Sequence, residues 1–430
     1  MAQRGPSRAT AGDTLAFALH VALPTLGKGV LIRRRSVLAL ADRMDTDARA
    51  VRTLTRLRST YGNRPLQLKL PGRPRVVILS PEDAMEVLDN TSTPFMAASD
   101  DKQSALAHFE PGVSLASRGA ERCDRRSFNE QVLASEEVSH PCAAAFETII
   151  DDELGPLLLP PDGQLDWDTF SEAWFRVVRR VVLGEGARDD KTLTRQLAGL
   201  RKAANWAFLR PRRKRLLKAF YARLDTHLER AEPGSLASRV AASASPGDAP
   251  AHQVAHWLFA YDPAGMAVFR TLALLCADPE AYERARKERA TENLGFMRAC
   301  MMESLRLWPT TPAILRQTSE NADLNGCAIA KGSGVIIFAP FFHRGPSAGD
   351  IAHRFTPDIW QDGQTVDQRG VFPFSAGPAR CPARHLVLMT SAMALRRLIE
   401  QQWREESGAI PAGGDIPATL SPYRLIFQLR

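Results

Sequence analysis

The longest uniform pattern in the sequence is helical and runs from Ala120 to about Arg230. Apolar residues recur there with the period of an α-helix. The pattern breaks at proline and glycine positions, namely Pro141, 156–163, Gly184 and Pro211. A body of several consecutive helices therefore constrains the fold more than any other feature.

Short strand patterns and further helices flank this body. Residues 65–70 and 76–79 predict a β-hairpin, because a Pro-Gly-Arg-Pro turn joins two apolar runs. The other predictions along the chain are a linker over 235–251, helices over 252–276, 292–308 and 383–401, and a strand over 334–339. We expect a mainly α fold with a small β region, as a single domain over 1–430 whose residues 1–30 are flexible or loosely packed.

Composition limits the class of protein. The 430 residues are 44% hydrophobic and carry a net charge of +8, which favours acidic partners. The apolar stretch 15–23 is shorter than the roughly 20 residues that a membrane span needs, so we expect no span and a cytoplasmic location. Six cysteines lie scattered without metal-site spacings, as is typical of reduced thiols in such a compartment.

One of these cysteines stands at a chemically distinctive place. Cys381 ends a loop that contains Gly377 and leads directly into an apolar helix. The positive end of a helix dipole favours a thiolate, so this position suits a metal ligand. The residues of the loop alone leave a purely structural cysteine as the alternative.

A charged pair precedes this loop. Glu303 and Arg306 lie three residues apart on one face of a predicted helix, where they can pair. Met301, Met302 and Leu305 on the same helix favour burial of the pair over a solvated surface contact.

Taken in order, these residues resemble a known family. Glu303 with Arg306, then Arg316, then the spacing from Phe374 through Gly377 to Cys381, look like the C-terminal half of a soluble, bacterial-type cytochrome P450. The resemblance extends more weakly over nearly the whole chain. It implies a triangular helical body around haem b with a β-sheet lobe near the N-terminus, and a monooxygenase activity that hydroxylates a small hydrophobic molecule.

The resemblance also assigns roles to residues. Cys381 would be the axial thiolate that binds the iron. The cofactor-binding set that it implies is Cys381, Phe374, Gly377, Arg316, Arg122, Arg126, Arg380 and Ala383. Glu303 and Arg306 would brace the loop, with Arg354 as the nearest candidate for a third member. Two residues depart from the family pattern. The basic residue that is usual at position 379 is found one residue later, as Arg380, and the glycine that is usual at position 383 is an alanine.

The largest departure lies in the long helix over 252–276. The positions that carry the family's oxygen-side groove fall on Ala260, Asp262 and Pro263, so the acid is kept but the usual alcohol is a proline. A proline cannot relay a proton. Three alternatives follow: a monooxygenase with altered proton delivery, a peroxide-dependent peroxygenase, or a haem-binding member with little turnover. Family peroxygenases hold a substrate carboxylate with an arginine, and we expect Asp262 to repel one.

Partners and substrate follow from the resemblance as well. No flavin or iron–sulfur motif is found in the sequence, so electrons would come from a ferredoxin or flavodoxin with its NAD(P)H-dependent reductase. Arg380, Arg384, Arg396 and Arg397 with Arg122, Arg125 and Arg126 would form the docking face. The expected pocket residues are Phe95, Met96, Trp206, Phe208, Leu209, Phe259, Ala313, Ile314 and Leu420. We expect a monomer that binds no nucleic acid, and a mobile lid at the basic run 210–215.

Overall fold

The computed structural model describes residues 5–245, 247–290, 293–361, 370–411 and 414–430. The helices are α1 (Ala11–Phe17), α2 (Leu23–Lys28), α3 (Arg35–Arg43), α4 (Thr46–Tyr61), α5 (Pro81–Asp89), α6 (Asp100–Leu106), α7 (Gly119–Val132), α8 (Ala143–Leu154), α9 (Trp167–Leu183), α10 (Lys191–Ala204), α11 (Lys214–Arg230), α12 (Leu236–Ser243), α13 (Pro250–Ala277), α14 (Pro279–Glu288), α15 (Gly295–Leu307), α16 (Ala339–Arg344) and α17 (Arg384–Leu398). The strands are β1 (Ser7–Arg8), β2 (Leu66–Leu68), β3 (Arg75–Val77), β4 (Phe95–Met96), β5 (Gln164–Asp166), β6 (Ala313–Thr318), β7 (Ala322–Leu324), β8 (Cys327–Ile329), β9 (Gly334–Phe338), β10 (Trp403–Glu405) and β11 (Ile426–Leu429). The predicted class, mainly α with a small β region, is confirmed.

The chain forms two compact units. The first comprises Met1–Gln103, Leu305–Cys381 and Asp415–Leu420, and the second comprises Ser104–Ser304, Pro382–Gly414 and Ser421–Arg430.

The first unit is built on a six-stranded sheet in the order β1-β2-β3-β9-β6-β4. The predicted hairpin is its β2–β3 pair, with Leu66 opposite Val77. Strand β9 pairs parallel to β3 and antiparallel to β6. Apolar side chains from these strands form a continuous core with side chains from α4 and α5.

The N-terminal residues differ from the predicted loose segment. Residues 11–28 form a helical rod, because a π-helical turn over 18–22 joins α1 to α2. Phe17 and Val21 are 5% and 2% exposed and belong to the core of the first unit. Thr10 caps α1, since its Oγ1 accepts from the N–H of Asp13 at 3.1 Å.

The second unit is helical apart from the sheet β10-β11-β5. Its longest helix, α13, is the one described helix that is long and apolar enough to cross a membrane. Its apolar window is 83% buried within the protein, as in the core helix of a globular domain.

One predicted linker is wrong in this unit. Residues 235–251 contain α12, whose Leu236 and Val240 are buried. Ser235 caps this helix, because its Oγ accepts from the N–H of Ser238 at 3.3 Å. Alanine-rich stretches favour helices, so composition alone was misleading here.

Proline does not end α13. The helix continues through Pro263, although proline leaves the Phe259 carbonyl without its usual intrahelical donor. Trp174 on α9 packs beside this position, and its Nε1–H donates to the Tyr261 carbonyl at 2.8 Å. A Cβ on Gly265 would lie 2.6 Å from the Trp174 indole, so the close approach of these helices requires glycine.

Candidate active site

The cysteine loop of the first unit is tightly folded. The N–H of Cys381 donates to the Phe374 carbonyl at 2.9 Å, and the N–H of Arg380 donates to the Gly377 carbonyl at 2.9 Å. Helix α17 begins three residues after Cys381, and the Cys381 side chain is partly exposed. The loop therefore presents a thiol just before a helix N-terminus, as the sequence predicts.

Gly377 fixes the loop against α5. Its φ is +61°, and a Cβ there would lie 2.2 Å from the Leu88 carbonyl oxygen. No side chain can occupy that space without displacing backbone. The contact with the C-terminal end of α5 therefore sets where the loop turns.

Arg316 reaches the same loop from β6. Its side chain is 3% exposed and donates to Ser375 Oγ at 3.3 Å and to Thr91 Oγ1 at 3.0 Å. These contacts place a guanidinium beside the loop that carries Cys381. The position suits an anionic group, because arginine binds carboxylates through two parallel N–H donors.

His343 connects the loop to α15. The Phe372 N–H donates to His343 Nε2 at 3.0 Å, so Nδ1 carries the ring proton and donates to the Arg306 carbonyl at 3.2 Å. The ring is fully buried, and burial together with the nearby Arg306 charge lowers the pKa of His343 to about 3. The sequence prediction missed this residue.

Glu303 and Arg306 are both fully buried on α15, as their position among apolar residues suggests. The Arg306 guanidinium donates to the carbonyls of His343 at 3.0 Å and Arg354 at 2.8 Å. The proposed third brace member needs a correction, because the Arg354 side chain is exposed and its backbone carbonyl makes the described contact. The Arg354 carbonyl can take this place because the Arg306 guanidinium needs hydrogen-bond acceptors, and a backbone oxygen is one.

In the second unit, Asp262 has a partner that the sequence prediction missed. Arg201 on α10 donates to Asp262 Oδ2 at 2.8 Å, and the two side chains are 5% and 10% exposed. The Arg201 guanidinium also lies 4.5 Å from the centre of the Phe259 ring. Because the arginine compensates the charge of Asp262, the expected repulsion of a substrate carboxylate is removed.

A second polar pair lies on the same side of α13. Glu110 is fully buried, and its Oε1 lies 2.8 Å from His256 Nδ1. Burial raises the pKa of the Glu110 carboxyl, and the nearby charges of His256 and Arg201 lower it only in part. The Phe259 ring packs edge-on against both Phe109 and His256.

The accessible side of α13 is a single stripe. Most residues of the helix are buried, and between its two ends the partly exposed residues are His252, His256, Phe259, Ala260 and Pro263. Their spacing places them on one face. Of the predicted oxygen-side residues, Ala260 and Pro263 thus line this face, while Asp262 is buried in its ion pair.

The two candidate partners for a second anionic group differ in burial. Arg122 on α7 is 7% exposed and donates to the Ser114 carbonyl at 3.2 Å. Arg126 pairs with Glu130 at 2.5 Å on the helix surface. Arg122 is therefore the better candidate of the two.

The predicted pocket residues have mixed environments. Phe95, Ile314 and Leu420 are buried, and the first two belong to the core of the first unit. Met96 and Ala313 are partly exposed. Trp206, Phe208 and Leu209 are 36%, 70% and 70% exposed, so in the second unit they face solvent in this structure. Phe259 differs from the other predicted pocket residues in that its ring contacts two aromatic rings and the Arg201 guanidinium.

The predicted basic docking face is largely neutralised. Arg125 pairs with Glu121, Arg396 pairs with Glu147, and Arg397 pairs with Glu400. Arg126 is likewise paired with Glu130, and Arg122 is buried. The electrostatic argument for an acidic redox partner is therefore weaker than the number of arginines in the sequence suggests.

Comparison with known proteins bears on this site. Residues 253–403, which include Cys381 and the α15 pair, match the family model described as Cytochrome P450. Over these residues, about a third of its length, the chain is similar to the cytochrome P450 family. The cytochrome P450 fold that the sequence predicts is thereby confirmed.

Individual relatives match a stretch of similar length. Drimenol monooxygenase of Persicaria hydropiper is 31% identical over 159 residues, 33% of this chain and 31% of that protein. The 9-beta-pimara-7,15-diene oxidase of Oryza sativa subsp. japonica is 33% identical over 135 residues, 30% of this chain and 26% of that protein. Cytochrome P450 315a1, mitochondrial, of Drosophila melanogaster is 32% identical over 133 residues, 30% of this chain and 26% of that protein. The chain matches about a third of each relative or less.

Cytochromes P450 bind haem, and the donor set of this chain fits that group. Cys381 offers a thiol ahead of a helix N-terminus, and a cysteine thiolate is one of the side chains that bind haem iron. Arg316, in the same unit as Cys381, is a buried guanidinium group suited to a propionate. The residues present are therefore compatible with the cofactor.

Some of the missed residues had a signal in the sequence. Arg201 follows Leu193, Leu197 and Leu200 on the apolar face of α10, and an arginine at such a position predicts a buried partner. Glu110 and His343 lie outside regular amphipathic patterns, so no periodicity indicated their burial.

Proposed function

We propose that this cytochrome P450 is a haem-thiolate monooxygenase that inserts one oxygen atom into a small hydrophobic substrate. The observation that carries the proposal is the geometry of the cysteine loop. Gly377 packs against α5, Arg316 and His343 bind the loop at two further points, and Cys381 stands at its end. Such fixed positioning is what an axial ligand needs.

Each residue then has a role. Cys381 would bind the iron of haem b, Arg316 and Arg122 would hold its propionates, and Phe374 would pack on the ring. Glu303 and Arg306 would keep the loop in place. When bound, a haem with a thiolate ligand supplies O–O bond cleavage and oxygen insertion.

Proton delivery would differ from the family pattern. Pro263 has no hydroxyl, and Asp262 is held by Arg201 at 2.8 Å. The partly exposed face of α13 carries two titratable side chains, His256, which is bonded to Glu110, and His252, which is bonded to Tyr221. In this proposal, water or a substrate hydroxyl takes over the relay from the missing alcohol.

An isotope experiment tests the activity. The protein is supplied with a ferredoxin or flavodoxin, its reductase and NAD(P)H under oxygen-18 dioxygen. Drimenol and 9-beta-pimara-7,15-diene are reasonable first substrates, because two relatives are named for them. One labelled oxygen atom per product molecule is expected. Haem-loaded protein that forms no labelled product with any of a terpene, steroid, fatty-acid and polyketide panel would contradict the proposal.

A peroxide-dependent peroxygenase is the second candidate, and one contact favours it. Arg201 places a guanidinium 4.5 Å from the Phe259 ring and offsets the charge of Asp262, so a substrate carboxylate would not be repelled there. Turnover of a fatty acid with oxygen-18 hydrogen peroxide, and none with reductase and dioxygen, would select this alternative. Carbon monoxide binding without any product would select a haem-binding member with little turnover.

The substrate class, the electron donor and the location are known in less detail. A hydrophobic substrate and a separate electron donor are general in the family. The ferredoxin or flavodoxin, the cytoplasmic location, the monomeric state and the absence of nucleic-acid binding remain predictions of the sequence.

A further inference from the structure

The N-terminal helical rod has an exposed face that is entirely apolar. Within residues 11–28 the exposed positions are Ala11, Gly12, Leu15, Leu19, Leu23 and Leu26. The four leucines are 57%, 49%, 61% and 49% exposed. Their spacing of four, four and three residues places them along one side of the rod. We call these four leucines the leucine stripe.

The rod cannot easily rotate to hide this stripe. Its opposite face carries Phe17 and Val21, which are buried in the core of the first unit. Lys28 is buried as well and pairs with Asp47 at 2.5 Å. His20 Nδ1 lies 3.0 Å from Thr53 Oγ1 on α4. The exposure of the leucines is therefore a fixed property of the fold.

Positive charge accompanies the stripe. Helix α4 packs against the rod, and its exposed side chains include Arg49, Arg52 and Arg56, of which Arg56 pairs with Asp13 at 2.9 Å. Over residues 5–60, all of which the structure describes, every exposed charged side chain is an arginine, namely Arg8, Arg35, Arg43, Arg49, Arg52 and Arg56. An apolar ridge with a cationic border is typical of helices that lie in a membrane interface.

We propose that the leucine stripe and its arginine border bind the surface of an anionic lipid bilayer, with the rod lying parallel to the membrane. The leucines would enter the boundary between headgroups and acyl chains, and the arginines would contact anionic headgroups. A second copy of the chain fits less well, because pairing two such faces would bring their arginine borders together. This interaction needs no membrane-spanning segment and is independent of the proposed oxidation.

Vesicle flotation of the full chain tests the proposal. Wild-type protein is expected to float with vesicles of phosphatidylglycerol and phosphatidylcholine at low salt, and about tenfold or more weakly with phosphatidylcholine alone. The triple variant L15Q/L19Q/L23Q is expected to lose about tenfold or more in affinity for the anionic vesicles. The variant R49Q/R52Q is expected to weaken binding and to reduce its dependence on salt.

The matched control is V138Q/L159Q, which changes exposed apolar residues of the second unit, 53% and 75% exposed. It should bind vesicles as the wild type does. All variants should keep the wild-type unfolding midpoint, because the changed side chains face solvent. Wild-type protein that binds no vesicles, or a triple variant that binds as well as the wild type, would overturn the proposal. So would a wild-type dimer in sedimentation that the triple variant abolishes without any vesicle binding, since the stripe would then be a contact between copies.

Discussion

At the scale of single residues, the position of Cys381 depends on residues that would not themselves bind the iron. Gly377 lets the loop approach the α5 backbone, and His343 satisfies the Phe372 N–H below it. The sequence indicated Gly377 through its spacing from Cys381. It did not indicate His343, because its two partners are backbone atoms far away in the chain.

Replacing Gly377 tests the loop geometry. Gly377→Ala is expected to lower the free energy of unfolding by about 3 kcal/mol, because a Cβ would collide with the Leu88 carbonyl in addition to the cost of its positive φ. Urea unfolding of the two proteins measures the difference.

The matched control for this change is Gly332→Ala in the same unit. Gly332 has φ +79° and open space around its Cβ position, so only the backbone cost of about 1 kcal/mol is expected. Equal effects at the two glycines would show that the contact with α5 does not hold the loop.

The buried neutral His343 gives a prediction of pH dependence. Its pKa is lowered from the ordinary value of 6.5 to about 3 in the folded protein. The unfolded chain therefore binds a proton first as the pH falls, and this residue costs about 1.4 kcal/mol of stability per pH unit below 6.5 until about pH 3. Above pH 6.5 it contributes no slope.

Urea unfolding from pH 7 to pH 4.5 measures this slope. The variant His343→Gln cannot gain a charge, so its stability should fall less steeply in that range, although it loses hydrogen bonds at every pH. Parallel curves for wild type and variant would contradict the buried neutral assignment.

At the scale of elements, sequence periodicity located the helices and strands but not their partners. The helix predicted over 383–401 is observed as Arg384–Leu398, and that over 252–276 as Pro250–Ala277. Apolar periodicity is local, so it places these elements well. The Arg201–Asp262 contact joins two helices far apart in the chain, and no local pattern contains that information.

The Arg201–Asp262 pair is expected to matter for stability because it is buried. Arg201→Met should cost about 3 kcal/mol, since it leaves the Asp262 carboxylate without its counter-charge. Adding Asp262→Asn to that variant should recover part of the loss. Chemical unfolding of the two single variants and the double variant measures the coupling between the residues.

An exposed pair provides the comparison. Arg286 and Glu283 lie 3.5 Å apart on α14 and are 30% and 55% exposed. Arg286→Met should therefore cost less than about 1 kcal/mol. If the two arginine variants lose equal stability, the Arg201 contact is not a buried charge pair in solution.

At the scale of the whole molecule, the order of patterns along the chain was enough to predict the fold class and the family. A short β region, a helical body and a cysteine loop before a final helix follow one another as expected. The N-terminal rod was not predicted, because its buried face is short and its exposed face is also apolar. Without a polar face, the usual signal of an amphipathic helix is lost.

The carbon monoxide difference spectrum of the dithionite-reduced protein tests the central claim, that Cys381 is the thiolate ligand of a haem. The wild-type protein is expected to give a strongly red-shifted Soret band, and Cys381→His should keep haem but lose that shift. A folded, haem-loaded wild-type protein without the shift, or a Cys381→His variant that retains it, would contradict the account.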